Sequence, residues 1–219
     1  MKALRILIAD DHMIVRNGIK SLLNDQLDYE PIITEASNGA EVVDFVSKND
    51  FDVVIIDASM PKLDGVKAIR LISKYEKNIP VIALIETCDY YVVKKVLDTK
   101  PLGILSKNIE VDELMLAIKH VMRLKRFYCN EVSQLLLNVT KEKEQSLELM
   151  NSLTKREKEI LTMVVKELTN DQIGDRLSIS KRTVEGHRKN IKSKLQVKST
   201  IGLLKVALET GVMNQSLSI

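Results

Sequence analysis

The amino-acid sequence predicts an α/β domain built on a five-stranded parallel sheet wound on both faces, followed by a smaller all-α domain of four helices. Two observations predict this division. Five short apolar runs alternate with five helical-period segments up to about residue 125, after which only helical patterns follow. Charge divides in the same way: of 33 basic and 30 acidic residues, 13 and 7 lie in 152–219, a balance of +6 there and −3 in 1–151. The expected organisation is residues 1–125 as the α/β domain, 126–151 as a partly helical linker and 152–219 as the helical domain.

In order, Leu4 to Ala9 is an apolar run ending on Asp10-Asp11, as expected of a strand buried on both faces. Met13 to Leu23 carries Met13, Ile14, Ile19, Leu22 and Leu23 at helical spacing. Pro31 to Ala36 reads as a second strand, and Asn38-Gly39 opens a helix with Val42, Val43 and Val46 on one side. Val53 to Ile56 is a third strand, leading through Pro61 and Gly65 to a helix with Val66, Ile69 and Ile72. Pro80 precedes the strand Val81 to Ile85; a helix around Tyr91 to Leu97 follows, then the strand Leu102 to Leu105 and a fifth helix from Val111 to Met122. Within the linker, Glu131 to Val139 reads as a helix and Thr140 to Glu148 as a charged stretch.

Thr154 with Glu157 three residues later forms a capping-box pattern, and Ile160, Leu161, Val164 and Val165 continue an apolar face. A short helix, Asp171 to Leu177, follows with Asn170 as its expected N-cap. The turn Ser178-Ile179-Ser180 then leads to a longer helix, Lys181 to Leu195, and a last helix, Thr200 to Leu208, stops at Gly211. Two helices joined by a tight turn, the second of them basic, are the ingredients of a helix-turn-helix.

Composition excludes several classes. Hydrophobic residues are 45% and charged residues 29% of the chain, ordinary for a folded soluble protein, and the apolar runs are too short to span a bilayer. The N-terminus runs into Asp10-Asp11 without a cleavage-like site, so it reads as a strand and not a signal peptide. Cys88 and Cys129 lack metal-like spacing and do not call for an oxidising compartment, so the cytoplasm is expected. There is no Gly-rich phosphate loop, zinc spacing or nucleophile–base pair, and His12, His120 and His187 suggest no catalytic role.

In doubly wound sheets the working site lies at the carboxyl ends of the strands. Asp10 and Asp11 end the first strand, Asp57 ends the third and Lys107 follows the fifth, so three carboxylates and one ammonium should converge on one edge. Clustered hard oxygen donors suit Mg²⁺. Asp57 beside that ion and Lys107 is placed to attack a phosphoryl donor, with positioning and charge neutralisation as the protein's main contribution. In the helical domain, Lys181 to Lys198 holds seven basic residues (Lys181, Arg182, Arg188, Lys189, Lys192, Lys194 and Lys198) against one acid, Glu185. Such a run attracts nucleic-acid phosphates. Arg182, Glu185, Lys189 and Lys192 fall near one helix face, while Val184, Ile191 and Leu195 turn to the core.

Three segments, Ile8-Ala9-Asp10-Asp11-His12, Ile56-Asp57-Ala58-Ser59-Met60-Pro61-Lys62-Leu63-Asp64-Gly65 and Gly103-Ile104-Leu105-Ser106-Lys107, resemble the receiver domain of two-component response regulators. Leu153-Thr154-Lys155-Arg156-Glu157-Lys158-Glu159-Ile160-Leu161, with Thr183-Val184-Glu185-Gly186-His187-Arg188, is similar to the LuxR-type DNA-binding domain of the NarL/FixJ family. The resemblance implies that Asp57 accepts a phosphoryl group from a histidine kinase. It also implies that Asp10, Asp11, Asp57 and the Ser59 backbone carbonyl hold Mg²⁺. It makes Lys181 to Leu195 the recognition helix, in which Lys181, Arg182, Thr183, Glu185, Gly186, Arg188, Lys189 and Lys192 meet duplex DNA. Glu185 would accept from a cytosine amino group, and Gly186 would let the backbone approach the groove. The last helix resembles the family's dimer surface, so a homodimer on DNA is expected.

Four changes, over five positions, depart from the family pattern. Ile85, 22 residues before Lys107, stands where the family places a Thr or Ser that bonds the phosphoryl group. Glu86 replaces a small residue, Ile104 replaces the aromatic switch residue, and Lys100-Pro101 replaces Gly-Ala. All four are expected on one face. The leading expectation is a non-enzymatic, phosphorylation-controlled transcription regulator. The alternative is a pseudo-receiver gated by partner or dimer contacts. A phosphatase ranks last, because that chemistry commonly wants a second acid two residues after the nucleophile and those positions hold His12 and Ser59.

Overall fold

The computed structural model describes residues 3–26, 31–75 and 78–210. Its contacts divide the chain into two units, Met1–Leu136 and Leu137–Ile219. In the first, strands and helices alternate: β1 (Arg5–Ala9), α1 (Met13–Gln26), β2 (Ile32–Ala36), α2 (Gly39–Lys48), β3 (Val53–Asp57), α3 (Gly65–Ile72), β4 (Val81–Ile85), α4 (Tyr90–Leu97), β5 (Gly103–Ser106), α5 (Val111–Val121) and β6 (Phe127–Tyr128). The strands form one parallel sheet in the order β2-β1-β3-β4-β5-β6. Strands β3 and β4 are buried at every residue, which is why they read as unbroken apolar runs and not as alternating ones.

The sheet has six strands where the sequence predicted five. β6 pairs Phe127 and Tyr128 with Gly103 and Ile104, and it lies inside the expected linker. Two residues are too few to carry a periodic signal, so only the edge of β5 reveals the pairing. The rest of that stretch is one helix, α6 (Asn130–Asn151). The charged Thr140 to Glu148 segment is helical throughout because Lys, Glu, Gln and Leu are strong helix formers even without an apolar stripe. Val132 belongs to the core of the first unit, and Met150 to that of the second.

The second unit contains α7 (Lys155–Val165), α8 (Asn170–Leu177), α9 (Lys181–Lys194) and α10 (Thr200–Glu209). Their apolar faces meet in a core that includes Ile160, Leu161, Ile173, Val184, Ile191 and Leu203. The Thr154–Glu157 capping box is formed at the start of α7. The buried Glu157 carboxylate also takes the Lys194 ammonium at 2.7 Å, tying α7 to the end of α9. Between α8 and α9, Ser178 adopts a left-handed conformation (φ 52°), and the Ile179 N–H returns to the Gly174 carbonyl at 3.0 Å. That closes α8 and makes the tight turn. The expected stop at Gly211 lies outside the described residues.

The N-cap of α8 is Thr169 and not Asn170. Thr169 and Gln172 form a second capping box, leaving Asn170 as the first helical residue. Both residues are good caps, but Thr169 has a Gln three residues on, the partner a reciprocal box requires.

Candidate functional site

The parallel register sets the first site. Ala9 lies opposite Ile56 and Asp57 opposite Leu84, so Asp10 leaves the sheet beside Asp57. The strand order reverses direction between β1 and β3, where crevices form in such sheets. Asp10 and Asp57 are buried, at 0% and 1% exposure. Lys107 follows β5, its N–H bonded to the Ile85 carbonyl, and its ammonium bridges the two acids at 2.8 Å from Asp10 Oδ2 and 2.9 Å from Asp57 Oδ2. Burial pulls the Lys107 pKa down, but the close pairing of its ammonium with the Asp10 and Asp57 carboxylates outweighs this and raises it above its ordinary value. Lys107 therefore stays cationic. The other Asp57 oxygen, Oδ1, accepts the Ser59 N–H at 3.0 Å. At the start of α3, a Cβ on Gly65 would run into the Asp57 carbonyl, so only glycine lets that helix approach this closely.

Asp11 is exposed, and His12 folds back over the pair. The His12 N–H donates to Asp10 Oδ1 at 2.8 Å, which turns the imidazole Nδ1 to 3.2 Å from Asp10 Oδ1 and 3.1 Å from Asp11 Oδ1. Sequence reasoning set His12 aside; the tight turn after β1 brings it to the acids. Reasoning from sequence also missed Arg16, whose guanidinium donates to the Asp10 carbonyl at 2.7 Å and pairs with Glu35 at 3.1 Å. Their separation along the chain gave no signal. Oxygen donors that outnumber one ammonium fit a hard divalent cation. Asp10 Oδ2 is buried and accepts no well-formed hydrogen bond even with Lys107 nearby.

The second site is α9. Val184 and Ile191 are fully buried and Leu195, just past its end, nearly so, which turns Lys181, Arg182, Thr183, Glu185, Gly186 and Lys189 to solvent. A shallow concavity is lined by Asn170, Glu185, Arg188, Lys189 and Lys192. Asn170 Oδ1 accepts from Arg188 at 2.7 Å, and its amide reaches Glu185 at 3.5 Å, so the start of α8 orients two side chains of α9. Lys181 is paired with Asp171 at 2.8 Å. A Cβ on Gly186 would meet no atom within 4 Å, so nothing inside the protein requires glycine there.

Residues 6–119 match the response regulator receiver domain, and residues 151–207 match the bacterial regulatory proteins of the luxR family. This chain belongs to the NarL/FixJ family of response regulators. It is 30% identical over 211 residues to the response regulator UvrY of Escherichia coli strain K12, covering 96% of each chain. Salmonella typhimurium RcsB is similar in structure, with TM-score 0.64 and 27% identity over 94% of this chain and 98% of that one. RcsB from Salmonella enterica serovar Typhimurium, bound to a promoter with the phosphomimetic BeF3-, is also similar, with TM-score 0.57 and 26% identity over 95% and 99% of the two chains. The family is one of DNA-binding transcription regulators. None of the described helices is long and apolar enough to cross a membrane.

Against this family, the departures separate into two places. Ile85 and Ile104 are buried at 1% and 0% exposure and join the apolar core, so neither brings a hydroxyl to Asp57. Glu86 and Thr87, just past β4, are exposed. Lys100-Pro101 does not share their face, contrary to expectation. It precedes β5, whose first residue Gly103 pairs with Ile82 near the start of β4, so it lies at the opposite end of the strands from Asp57. Lys100 there takes a left-handed backbone (φ 57°), a conformation that glycine adopts without strain and a residue with a Cβ adopts at a cost.

Proposed function

We propose that a histidine kinase phosphorylates this response regulator on Asp57 and that phosphorylation controls how a homodimer binds duplex DNA through α9, in the cytoplasm. The observation that carries the reading is the buried Asp10–Lys107–Asp57 bridge at the carboxyl end of the sheet. An Asp57 carboxylate oxygen attacks the phosphorus of a phosphohistidine, the P–N bond breaks, and the imidazole leaves. Lys107, held cationic, neutralises charge on the phosphoryl oxygens. Asp10, Asp11, Asp57 and the Ser59 carbonyl would hold Mg²⁺, which supplies further neutralisation of those oxygens. Residues 1–125 form the receiver, 126–151 connect it, and 152–219 bind DNA. In that last part, Arg182, Thr183, Glu185, Gly186, Arg188, Lys189 and Lys192 face the groove and its phosphates, with Lys181 beside them.

A second reading, a pseudo-receiver gated by partner or dimer contacts, is favoured by the absence of a hydroxyl at Ile85 and of an aromatic ring at Ile104. One experiment separates the two. Wild type and Asp57→Ala are incubated with acetyl phosphate and Mg²⁺, then measured by intact mass, by sedimentation and by binding to duplexes selected from a random pool. The first reading expects one phosphoryl group on wild type alone, with dimerisation and tighter binding. A wild type that gains no phosphoryl group, yet dimerises and binds as Asp57→Ala does, supports the second. In that case, Ile85→Thr with Glu86→Ala should restore labelling at Asp57.

A further inference from the structure

The acid pocket contains a donor that the family pattern does not use. His12 Nδ1, Asp10 Oδ1 and Asp11 Oδ1 lie within 4.8 Å of one another, and the imidazole is 3.1 and 3.2 Å from the two carboxylate oxygens. An octahedral ion with bonds of about 2.0–2.2 Å sets neighbouring donors about 2.8–3.1 Å apart. The imidazole nitrogen is thus spaced from each carboxylate oxygen much as neighbouring corners of one coordination shell are, and a small inward movement seats the three donors. The turn that creates this spacing is itself anchored, since the His12 N–H is bonded to the buried Asp10. The Asp10 side chain is fully buried, with its Oδ2 turned to the Lys107 ammonium at 2.8 Å and its Oδ1 to His12, so an ion at Oδ1 would meet a carboxylate already stripped of water.

We propose that His12 Nδ1 is a direct ligand of the cation bound by Asp10 and Asp11, and that the pocket therefore prefers first-row transition ions to Mg²⁺. Imidazole suits ions later in the Mn²⁺ to Zn²⁺ series, whereas Mg²⁺ favours oxygen alone and keeps its waters. His12 is mostly exposed, with 68% of its side chain accessible, so packing does not account for its orientation toward the acids. The inference rests on the reading of Asp10 and Asp11 as metal-holding residues.

The test uses the full-length chain and Mn²⁺ as the probe. Electron paramagnetic resonance titration counts bound Mn²⁺, and pulsed measurements on the bound ion read the coupling of a directly ligated nitrogen. Wild type should show ¹⁴N coupling that changes to the ¹⁵N pattern in protein labelled with [¹⁵N]histidine, a comparison needing no substitution. His12→Ala should abolish the coupling and weaken Mn²⁺ and Co²⁺ by about tenfold or more. Mg²⁺, measured by competition, should change by less than about twofold, because it loses no oxygen donor. Bound Mn²⁺ without nitrogen coupling, or a coupling that survives in His12→Ala, overturns the role of His12 and leaves Asp10 and Asp11 as metal ligands. No Mn²⁺ binding at all overturns both.

Discussion

Replacing Gly186 by alanine should push stability and DNA binding in opposite directions. Gly186 sits within the 14-residue α9, and the added methyl would enter open space, so it costs the protein no contact. Alanine in an exposed helix interior is favoured over glycine by about 0.8–1.0 kcal/mol. For a domain of this size that corresponds to a rise in melting temperature of about 4–8 °C. The same methyl lies on the exposed surface of α9, in the segment proposed to enter the groove. Holding the helix back from base edges forfeits interactions worth about 1–3 kcal/mol each, a loss of roughly fivefold to a hundredfold in affinity. Calorimetric melting of the full chain and fluorescence anisotropy on a labelled duplex, at two salt concentrations, read the two quantities separately. An alanine variant that is more stable and binds DNA as well as wild type would refute close backbone approach at this position. A less stable variant would refute the open surface.

Four further outcomes are expected. Lys189→Ala should weaken binding to all duplexes alike and reduce the slope of log affinity against log salt by about 0.9, the share of one phosphate contact; a loss that depends on sequence would mean that Lys189 reads a base. Gly65→Ala should destabilise the receiver by more than about 2 kcal/mol in urea melts and impair labelling of Asp57, because the new carbon overlaps the Asp57 carbonyl. Lys100→Gly should stabilise the receiver by about 1 kcal/mol without changing phosphorylation, since it relieves a left-handed side chain far from Asp57. Burial raises the Glu157 pKa, but Lys194 and the Thr154 N–H outweigh it and hold the group below its ordinary 4.5. Its contribution is therefore complete above that pH and is lost as pH falls through the lowered folded value, a loss that Glu157→Gln should remove from the acid melting profile of the helical domain.

Much of this molecule is determined locally. Apolar runs bounded by turn residues define β1, β3 and β4, because a strand buried on both faces needs apolar side chains at every position. Thr154 with Glu157 sets the start of α7 through hydrogen bonds that close within four residues. The convergence of Asp10, Asp57 and Lys107 was legible for a related reason: in a parallel sheet the strand ends share one edge whatever their distance along the chain. The tertiary structure decided what depends on register and on neighbours remote in sequence. Asp10 and Asp11 are chemically identical neighbours, but the end of β1 buries one completely and the bend that follows leaves the other exposed. The two residues of β6 become a strand only because β5 offers an unpaired edge, and Asn170 meets Arg188 only because the turn at Ser178 folds α8 against α9. Lys100-Pro101 and Ile85 are set at opposite ends of the sheet by the pairing of β4 with β5. His12 reaches the acids through a single backbone hydrogen bond to Asp10, whose strength depends on a buried acceptor that no local pattern reveals.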